Sequence, residues 1–319
     1  MILVMTALKI LVLALAALIL LLAAYTYAAS RWLEHEYPPS GAFIEVGDQK
    51  LHYLAKGEGQ SIVLLHGASA SLRDFEASLF DGLEQDHQVI AFDRPGYGYS
   101  SRTSETWPNP EIQADLIHQA LAQLNIENPV IIGHSLAGSV VMAYLLKYPD
   151  DVSGAVLLAG ATHSWTDGVS ANVQLAGVPL LGRLFSSTLV MPIGQLLFDG
   201  AVKNVFEPEQ LTQDYRERTG AILALRPGAF QSSAEDVRNL SDFLEQQAKR
   251  YGEIKKPLLM ITAEKDTIVP AWNHADRVEK QVPQSVQISL PGAGHALHHS
   301  RREEVEGLIR DFISDLPSD

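Results

Sequence analysis

A serine stands where a predicted buried strand gives way to a helix. The apolar run 130–132 predicts the strand, Ser135 follows it between small residues, and a helical pattern begins at Val140. This order is that of a nucleophile elbow, which exposes a hydroxyl and points free N–H groups at a developing oxyanion. The usual Gly-x-Ser-x-Gly spacing puts glycine where this chain has Ala137. Alanine is the smallest substitute, so we expect the tight helix–strand packing to survive.

An aspartate and a histidine follow two later strands. Asp266 comes after the strand predicted over 257–262, and His295 comes after the strand predicted over 286–290. Open α/β sheets place their sites just beyond the carboxyl ends of such strands. The alternative position for an acid, after the sixth strand, reads Ala-Thr-His, and Asp167 stands too far along the chain.

These three residue types together can cleave an acyl compound. A serine hydroxyl is a poor nucleophile at neutral pH and needs a base within hydrogen-bond reach. His295 is predicted to take the proton of Ser135 and to return it to the leaving group, while Asp266 fixes the imidazole tautomer. The predicted product of the first step is an acyl-serine, which water then hydrolyses.

Three further motifs carry a family resemblance. They are Leu-Leu-His-Gly-Ala at 64–68, Phe-Asp-Arg-Pro-Gly-Tyr-Gly-Tyr-Ser at 92–100 and Glu-Lys-Asp-Thr-Ile-Val-Pro at 264–270. With the elbow, they resemble the α/β-hydrolase superfamily from about Phe43 to about Phe312, in the serine-esterase and epoxide-hydrolase-like branch that has a helical cap. The resemblance implies Ser135 as nucleophile, Asp266 as acid and His295 as base. It also implies an oxyanion hole made by the backbone N–H groups of Ala68 and Leu136.

Strands alternating with helices predict an α/β fold with a mostly parallel sheet, and the resemblance implies eight strands and an inserted cap. One helix is predicted over 111–124, with Ile112 on its buried face. The expected division of the chain is a transmembrane anchor or signal peptide at 1–29, a linker at 30–41, hydrolase core at 42–162 and 252–319, and a helical cap at 163–251. The apolar cap suggests a lid over the pocket. Its charges Arg183 and Arg226 are expected to pair with surface carboxylates rather than with substrate.

The first 29 residues are almost wholly apolar, with Lys9 as their one charge. About twenty such residues span a bilayer, so we predict an uncleaved single-pass anchor with the catalytic domain on the non-cytoplasmic, periplasmic side. The alternative is a signal peptide cleaved near Ser30, which gives a secreted enzyme. The net charge of −14 excludes a nucleic-acid-binding role, and the chain has no cysteine for a disulfide or a thiol nucleophile.

The remaining histidines predict no metal and no cofactor, because no ligand spacing such as His-Glu-x-x-His occurs. His66 and His134 are expected to pack near the site, and His298 and His299 to lie on the surface.

The predicted activity is carboxylic ester hydrolysis on a small-molecule substrate. Haloalkane dehalogenases and epoxide hydrolases of this fold carry aspartate at the elbow, so Ser135 disfavours those activities. Two alternatives stay open: a carbon–carbon bond hydrolase or acyltransferase of the same fold, and a non-catalytic membrane-tethered binding protein. The sequence leaves the acyl-chain length and the oligomeric state undetermined.

Overall fold

One sheet carries the fold in the computed structural model, which describes residues 1–103, 107–166, 168–178, 180–211 and 214–317. Within these residues its strands are β1 (Ala42–Val46), β2 (Gln49–Lys56), β3 (Ser61–Leu65), β4 (Gln88–Phe92), β5 (Val130–His134), β6 (Gly154–Leu158), β7 (Leu258–Ala263) and β8 (Ser285–Leu290). They lie in the order β1-β2-β4-β3-β5-β6-β7-β8. β2 pairs antiparallel with β1 and β4, and every other neighbouring pair is parallel. The predicted eight-stranded, mostly parallel sheet is confirmed.

The inner strands are apolar without alternation because helices cover both faces of the sheet. All residues of β3, β5, β6 and β7 are buried. Along β3, Val63 and Leu65 pack into one core cluster while Ile62 and Leu64 pack into another on the opposite face. These two cores fix the carboxyl ends of the strands, from which the candidate site is built.

Thirteen α-helices lie within the described residues. They are α1 (Ile2–Glu36), α2 (Arg73–Glu76), α3 (Phe80–Leu83), α4 (Pro110–Gln123), α5 (Gly138–Lys147), α6 (Ala171–Ala176), α7 (Leu181–Phe185), α8 (Met191–Phe206), α9 (Tyr215–Thr219), α10 (Pro227–Gln247), α11 (Ala275–Gln281), α12 (Leu297–Ser300) and α13 (Arg302–Ser314). The predicted helix 111–124 is α4, which begins at Pro110 because the Asn109 side chain caps it by accepting from the Ile112 N–H at 3.0 Å. Ile112 itself is exposed, contrary to the expected buried face.

The N-terminal helix is longer than expected. α1 continues through Glu36, so the predicted linker at 30–41 is helical in its first seven residues. No glycine or proline interrupts the helix before Pro38, and a residue preceding proline disfavours helical geometry, which ends α1 at this point. Residue Leu33 is fully buried against the cap. By length and composition, α1 and the stretch Leu181–Phe206 are both apolar enough to cross a membrane.

Helices α6 to α10 lie between β6 and β7, in the segment predicted to form the cap. A five-residue π-helical segment, Ser186–Val190, joins α7 to α8. Helix α10 is tied to the core through Asp236, whose buried carboxylate pairs with the buried Arg94 guanidinium at 3.1 Å. The Tyr97 hydroxyl and the Trp107 indole N–H donate to the same carboxylate, each at 2.9 Å. This buried network orients α10 above the carboxyl ends of the strands.

Candidate active site

The serine predicted as nucleophile stands on a strained turn. Ser135 has a φ of +54°, a left-handed conformation that costs a non-glycine residue on the order of 1–3 kcal/mol. Close packing beneath the turn holds it there. A Cβ on Gly133 would lie 2.6 Å from the Val141 side chain and 2.8 Å from the Ala137 carbonyl oxygen. Glycine is therefore required at 133, while the methyl group of Ala137 is fully buried without disrupting the turn.

The three residues predicted as a triad form one continuous chain of hydrogen bonds. The Ser135 hydroxyl lies 2.9 Å from His295 Nε2, and His295 Nδ1 lies 2.7 Å from Asp266 Oδ2. With ionised aspartate as its partner, Nδ1 carries the proton and Nε2 is left to accept from the serine. The other oxygen of Asp266 accepts from the N–H groups of Ile268 and Val269, at 2.8 and 2.9 Å. All three side chains are buried at the carboxyl edge of the sheet.

The environment of Asp266 favours its charged form. Burial alone would raise the pKa of this carboxyl, because charge is poorly solvated in the interior. The hydrogen bond and charge of His295, together with the two N–H donors of the following loop, outweigh burial and hold the pKa of Asp266 below its usual value. The group facing the imidazole is thus a carboxylate at neutral pH.

The loop after β3 passes directly beside the serine. A Cβ on Gly67 would lie 3.0 Å from the Ser135 Cβ, so only glycine allows this approach. The next residue, Ala68, lines the same cavity wall as Ser135 and Leu136. The N–H of Leu136 belongs to the first turn of a helical segment, where backbone donors have no partner within the helix. An oxyanion hole made by Ala68 and Leu136 stays a prediction, and both residues stand beside the serine as it requires.

Ser135 and His295 of the predicted triad open into a cavity of about 730 Å³ between the sheet and the segment predicted as the cap. Its walls are mostly apolar side chains of the cap, among them Leu189, Ile193, Leu197, Phe198, Val202 and Val205. No lysine or arginine is found among the described residues that line it. The two cap arginines singled out from the sequence lie elsewhere. Arg226 pairs with Glu34 of α1 at 3.1 Å, and Arg183 lies in a separate groove with Ser30 and Glu34.

Two histidines expected on the surface instead lie in the cavity wall, His298 buried and His299 half-buried. His298 Nε2 and His299 Nε2 lie 2.9 and 2.8 Å from the two oxygens of Asp74, also buried. Burial opposes ionisation of Asp74, but the two imidazoles hold its pKa well below the usual range. These three side chains could also ligate a cation, since their ligand atoms lie within 4.8 Å of one another, although the two distances are those of ordinary hydrogen bonds. No local pattern in the sequence indicates this cluster, because Asp74 lies more than 220 residues from its partners.

The other two histidines, His66 and His134, hydrogen-bond to backbone groups next to the candidate site. His66 accepts from the Arg94 N–H at 3.0 Å and donates to the Gly67 carbonyl at 2.8 Å, and burial lowers its pKa to about 4. His134 Nε2 donates to the carbonyl oxygen of His295 at 3.2 Å, and burial holds its pKa well below the usual range. Both imidazoles are therefore neutral at pH 7, and both brace the backbone next to the triad.

Comparison with known proteins agrees with this architecture. A sequence model of the α/β hydrolase family matches residues 62–308. The putative non-heme chloroperoxidase of Synechocystis sp. is 27% identical over 288 residues, which cover 85% of this chain and 99% of that protein. The 2-hydroxy-6-oxononadienedioate/2-hydroxy-6-oxononatrienedioate hydrolase 1 of Pseudomonas putida is 26% identical over 274 residues, covering 84% and 93%.

A solved structure of a membrane phospholipase A, described as a bacterial virulence factor, superposes with a TM-score of 0.69 and covers 98% of both chains. At 19% sequence identity this likeness shows the fold alone. It includes the long N-terminal helix, because so little of either chain is left out. Since the family model spans most of the chain, the protein belongs to the α/β hydrolase family.

Proposed function

We propose that this hydrolase cleaves carboxylic esters through an acyl-serine intermediate, with Ser135 as nucleophile, His295 as base and Asp266 as acid. The observation that carries the proposal is the unbroken hydrogen-bond chain from Asp266 through His295 to Ser135, ending in a large apolar cavity. A hydrogen-bonded nucleophile, base and orienting acid is the geometry that acyl transfer requires.

The proposed reaction has two halves. His295 Nε2 takes the Ser135 proton as Oγ attacks the ester carbonyl, and the N–H groups of Leu136 and Ala68 stabilise the oxyanion. Losing one such donor typically costs roughly 10²–10³ in rate. The imidazolium then protonates the leaving alcohol, and the acyl-serine remains. His295 then deprotonates a water molecule, which attacks this ester. The imidazolium returns the proton to Ser135 Oγ as the acid leaves, which restores both the serine and the base.

The cavity supports an uncharged substrate with an apolar acyl chain. Its cap wall is aliphatic and aromatic, and its described polar residues supply no permanent cation. The Pseudomonas putida relative is named for substrates that are dianions, and its 26% identity keeps carbon–carbon bond hydrolysis as a second candidate. A dianion buried in this cavity without a cationic partner would bear a large desolvation penalty, which favours the ester.

We also propose that α1 is an uncleaved single-pass anchor and that the hydrolase domain lies on the non-cytoplasmic side. The apolar stretch 10–29 is long enough to span the roughly 30 Å hydrocarbon core. Beyond it, Leu33 is buried in the cap and Glu34 pairs with Arg226, so the helix is part of the folded enzyme. Cleavage near Ser30 would remove the preceding turns of α1, which hold the cap through Tyr25 and Thr26. Sidedness rests on Lys9, the charge that precedes the main apolar run.

A substrate panel tests the proposed activity. Purified full-length enzyme should hydrolyse p-nitrophenyl esters, with the highest kcat/KM on medium-length acyl chains that fill the apolar wall, and Ser135→Ala should show no turnover. A 2-hydroxy-6-oxo-dienedioate, the class of dianion for which the Pseudomonas putida relative is named, should not react. If that compound is cleaved and every ester is inert, the second candidate replaces the first.

A further inference from the structure

The π-helical segment and α8 form one continuous helix, 186–206, which is apolar on two opposite sides. Its inner side, including Met191 and Phe198, is buried together with Leu33 of α1. Its outer side carries leucine and isoleucine at spacing i, i+4, i+7 and i+8, which forms one stripe along a helix. This stripe, called the cap apolar face below, consists of Leu189, Ile193, Leu196 and Leu197, which are 38%, 45%, 85% and 64% exposed. A surface helix in water normally turns polar residues outward. An exposed stripe of leucine and isoleucine therefore indicates that this face contacts something other than water.

The cap apolar face lies beside the end of the apolar stretch of α1, where α1 meets the cap. The Tyr25 hydroxyl donates to Gln195 Oε1 at 2.5 Å, and the Thr26 hydroxyl donates to the Thr188 carbonyl at 3.4 Å. In sequence, Thr188 directly precedes the cap apolar face, and Gln195 lies within it, next to Leu196. The helix 186–206 therefore contacts α1 at Tyr25 and Thr26, near the end of the apolar stretch 10–29.

The length of that stretch sets where a bilayer would lie. Residues 10–29, which follow Lys9, measure roughly 30 Å at 1.5 Å per residue, close to the thickness of the hydrocarbon core. Tyr25 and Tyr27 then lie in the last turns of this stretch, next to the membrane–water boundary, where tyrosine is enriched. Leu196, adjacent to the Gln195 that Tyr25 contacts, falls at the same boundary.

The same face leads into the cavity that contains Ser135. Leu189, Ile193 and Leu197 line that cavity, while Leu196 lies outside its lining and is the most exposed of the four. We propose that the cap apolar face docks into the interfacial layer of the same bilayer that α1 spans, and that ester substrates enter the cavity from that layer. This inference rests on the anchor proposed above. It predicts that the substrate is an ester that partitions into a phospholipid surface. Apolar side chains in an interfacial helix bind such a surface by burying their area among the acyl chains.

The natural absence of cysteine makes a direct test available. Leu196→Cys in the full-length protein is labelled with a bimane fluorophore and reconstituted into phosphatidylcholine vesicles. The matched control is Val286→Cys, on the edge strand β8 at 55% exposure. We expect brominated phosphatidylcholine to quench the label at 196 and not at 286, and aqueous iodide to do the reverse. Equal iodide quenching at the two positions overturns the proposal. Protection of 196 from both quenchers, with cross-linking between chains, assigns the face to a second copy instead and equally overturns it.

A second variant links docking to substrate supply. Leu196→Asp should lower hydrolysis of a long-chain ester held in vesicles several-fold and leave hydrolysis of a short, water-soluble ester unchanged. A leucine that is buried in the bilayer when the face docks contributes enough free energy that its loss should lower the docking equilibrium constant by about tenfold or more. Val286→Asp should change neither rate. Equal rates of Leu196→Asp and the native chain on vesicle-held ester refute entry from the bilayer. The quenching experiment does not depend on hydrolysis, so failure of the docking and failure of the esterase proposal are distinguishable.

Discussion

The contacts of Asp266 determine what a single-atom change there should do. In Asp266→Asn, the side-chain oxygen must stay where the N–H groups of Ile268 and Val269 donate, because an NH₂ group in that place would face two donors. The carboxamide NH₂ is thereby turned toward His295 Nδ1, 2.7 Å away in the native chain. The imidazole must then accept at Nδ1 and carry its proton on Nε2, so it can no longer take the proton of Ser135.

The wrong tautomer should lower kcat by about 10⁴-fold, equivalent to about 5 kcal/mol of transition-state stabilisation. The thermal midpoint should hardly change, since the loop N–H groups keep their acceptor. Turnover of a p-nitrophenyl ester measures the first effect and calorimetry the second.

Glu264→Gln, which removes an exposed charge from the same loop, is the control and should retain full activity. A loss smaller than about tenfold in Asp266→Asn would refute this reasoning. So would a large loss in Asp167→Asn, a residue outside the described part of the chain.

Three further outcomes are expected. Burial lowers the pKa of His66 from 6.5 to about 4, so between these pH values the unfolded chain binds a proton at His66 and the folded chain does not. The free energy of unfolding should therefore fall as pH drops from 6.5 to about 4, by up to about 1.4 kcal/mol per pH unit. Urea unfolding in detergent should show a shallower fall in His66→Gln. Asp236→Ala leaves a buried guanidinium unpaired and should cost about 3–5 kcal/mol, against less than about 1 kcal/mol for Glu235→Ala at the exposed edge of the network. N-terminal sequencing of detergent-extracted protein should begin at Met1, and a start near Ser30 in soluble protein would contradict the anchor.

The parts of the fold that local pattern encodes could be predicted. Uninterrupted apolar runs predicted the buried strands, and the residues after them, Ser135, Asp266 and His295, are brought within hydrogen-bond distance at one edge of the sheet. Parallel strands make this possible, because their carboxyl ends all meet at that edge. The roles of these three residues remain predictions for experiment.

Contacts between distant residues could not be predicted in the same way. Neighbouring polar residues usually lie on the surface, which is the expectation for His298 and His299, yet both hydrogen-bond to the buried Asp74, with His298 buried and His299 half-buried. The carboxylate of Asp236 likewise joins residues 139 and 142 positions away, a pairing with no local signature. The end of α1 was different. Its signal, Pro38, was present in the sequence, but the linker was placed too early.

Covalent labelling tests the central claim, that Ser135 is the nucleophile, most directly. The full-length protein is treated with a fluorophosphonate, and the adduct is located by peptide mass spectrometry while ester turnover is followed in parallel. We expect one adduct, on Ser135, with activity lost in proportion to labelling and no adduct in Ser135→Ala. Full turnover by Ser135→Ala, or inactivation with the adduct on another residue, would contradict the account.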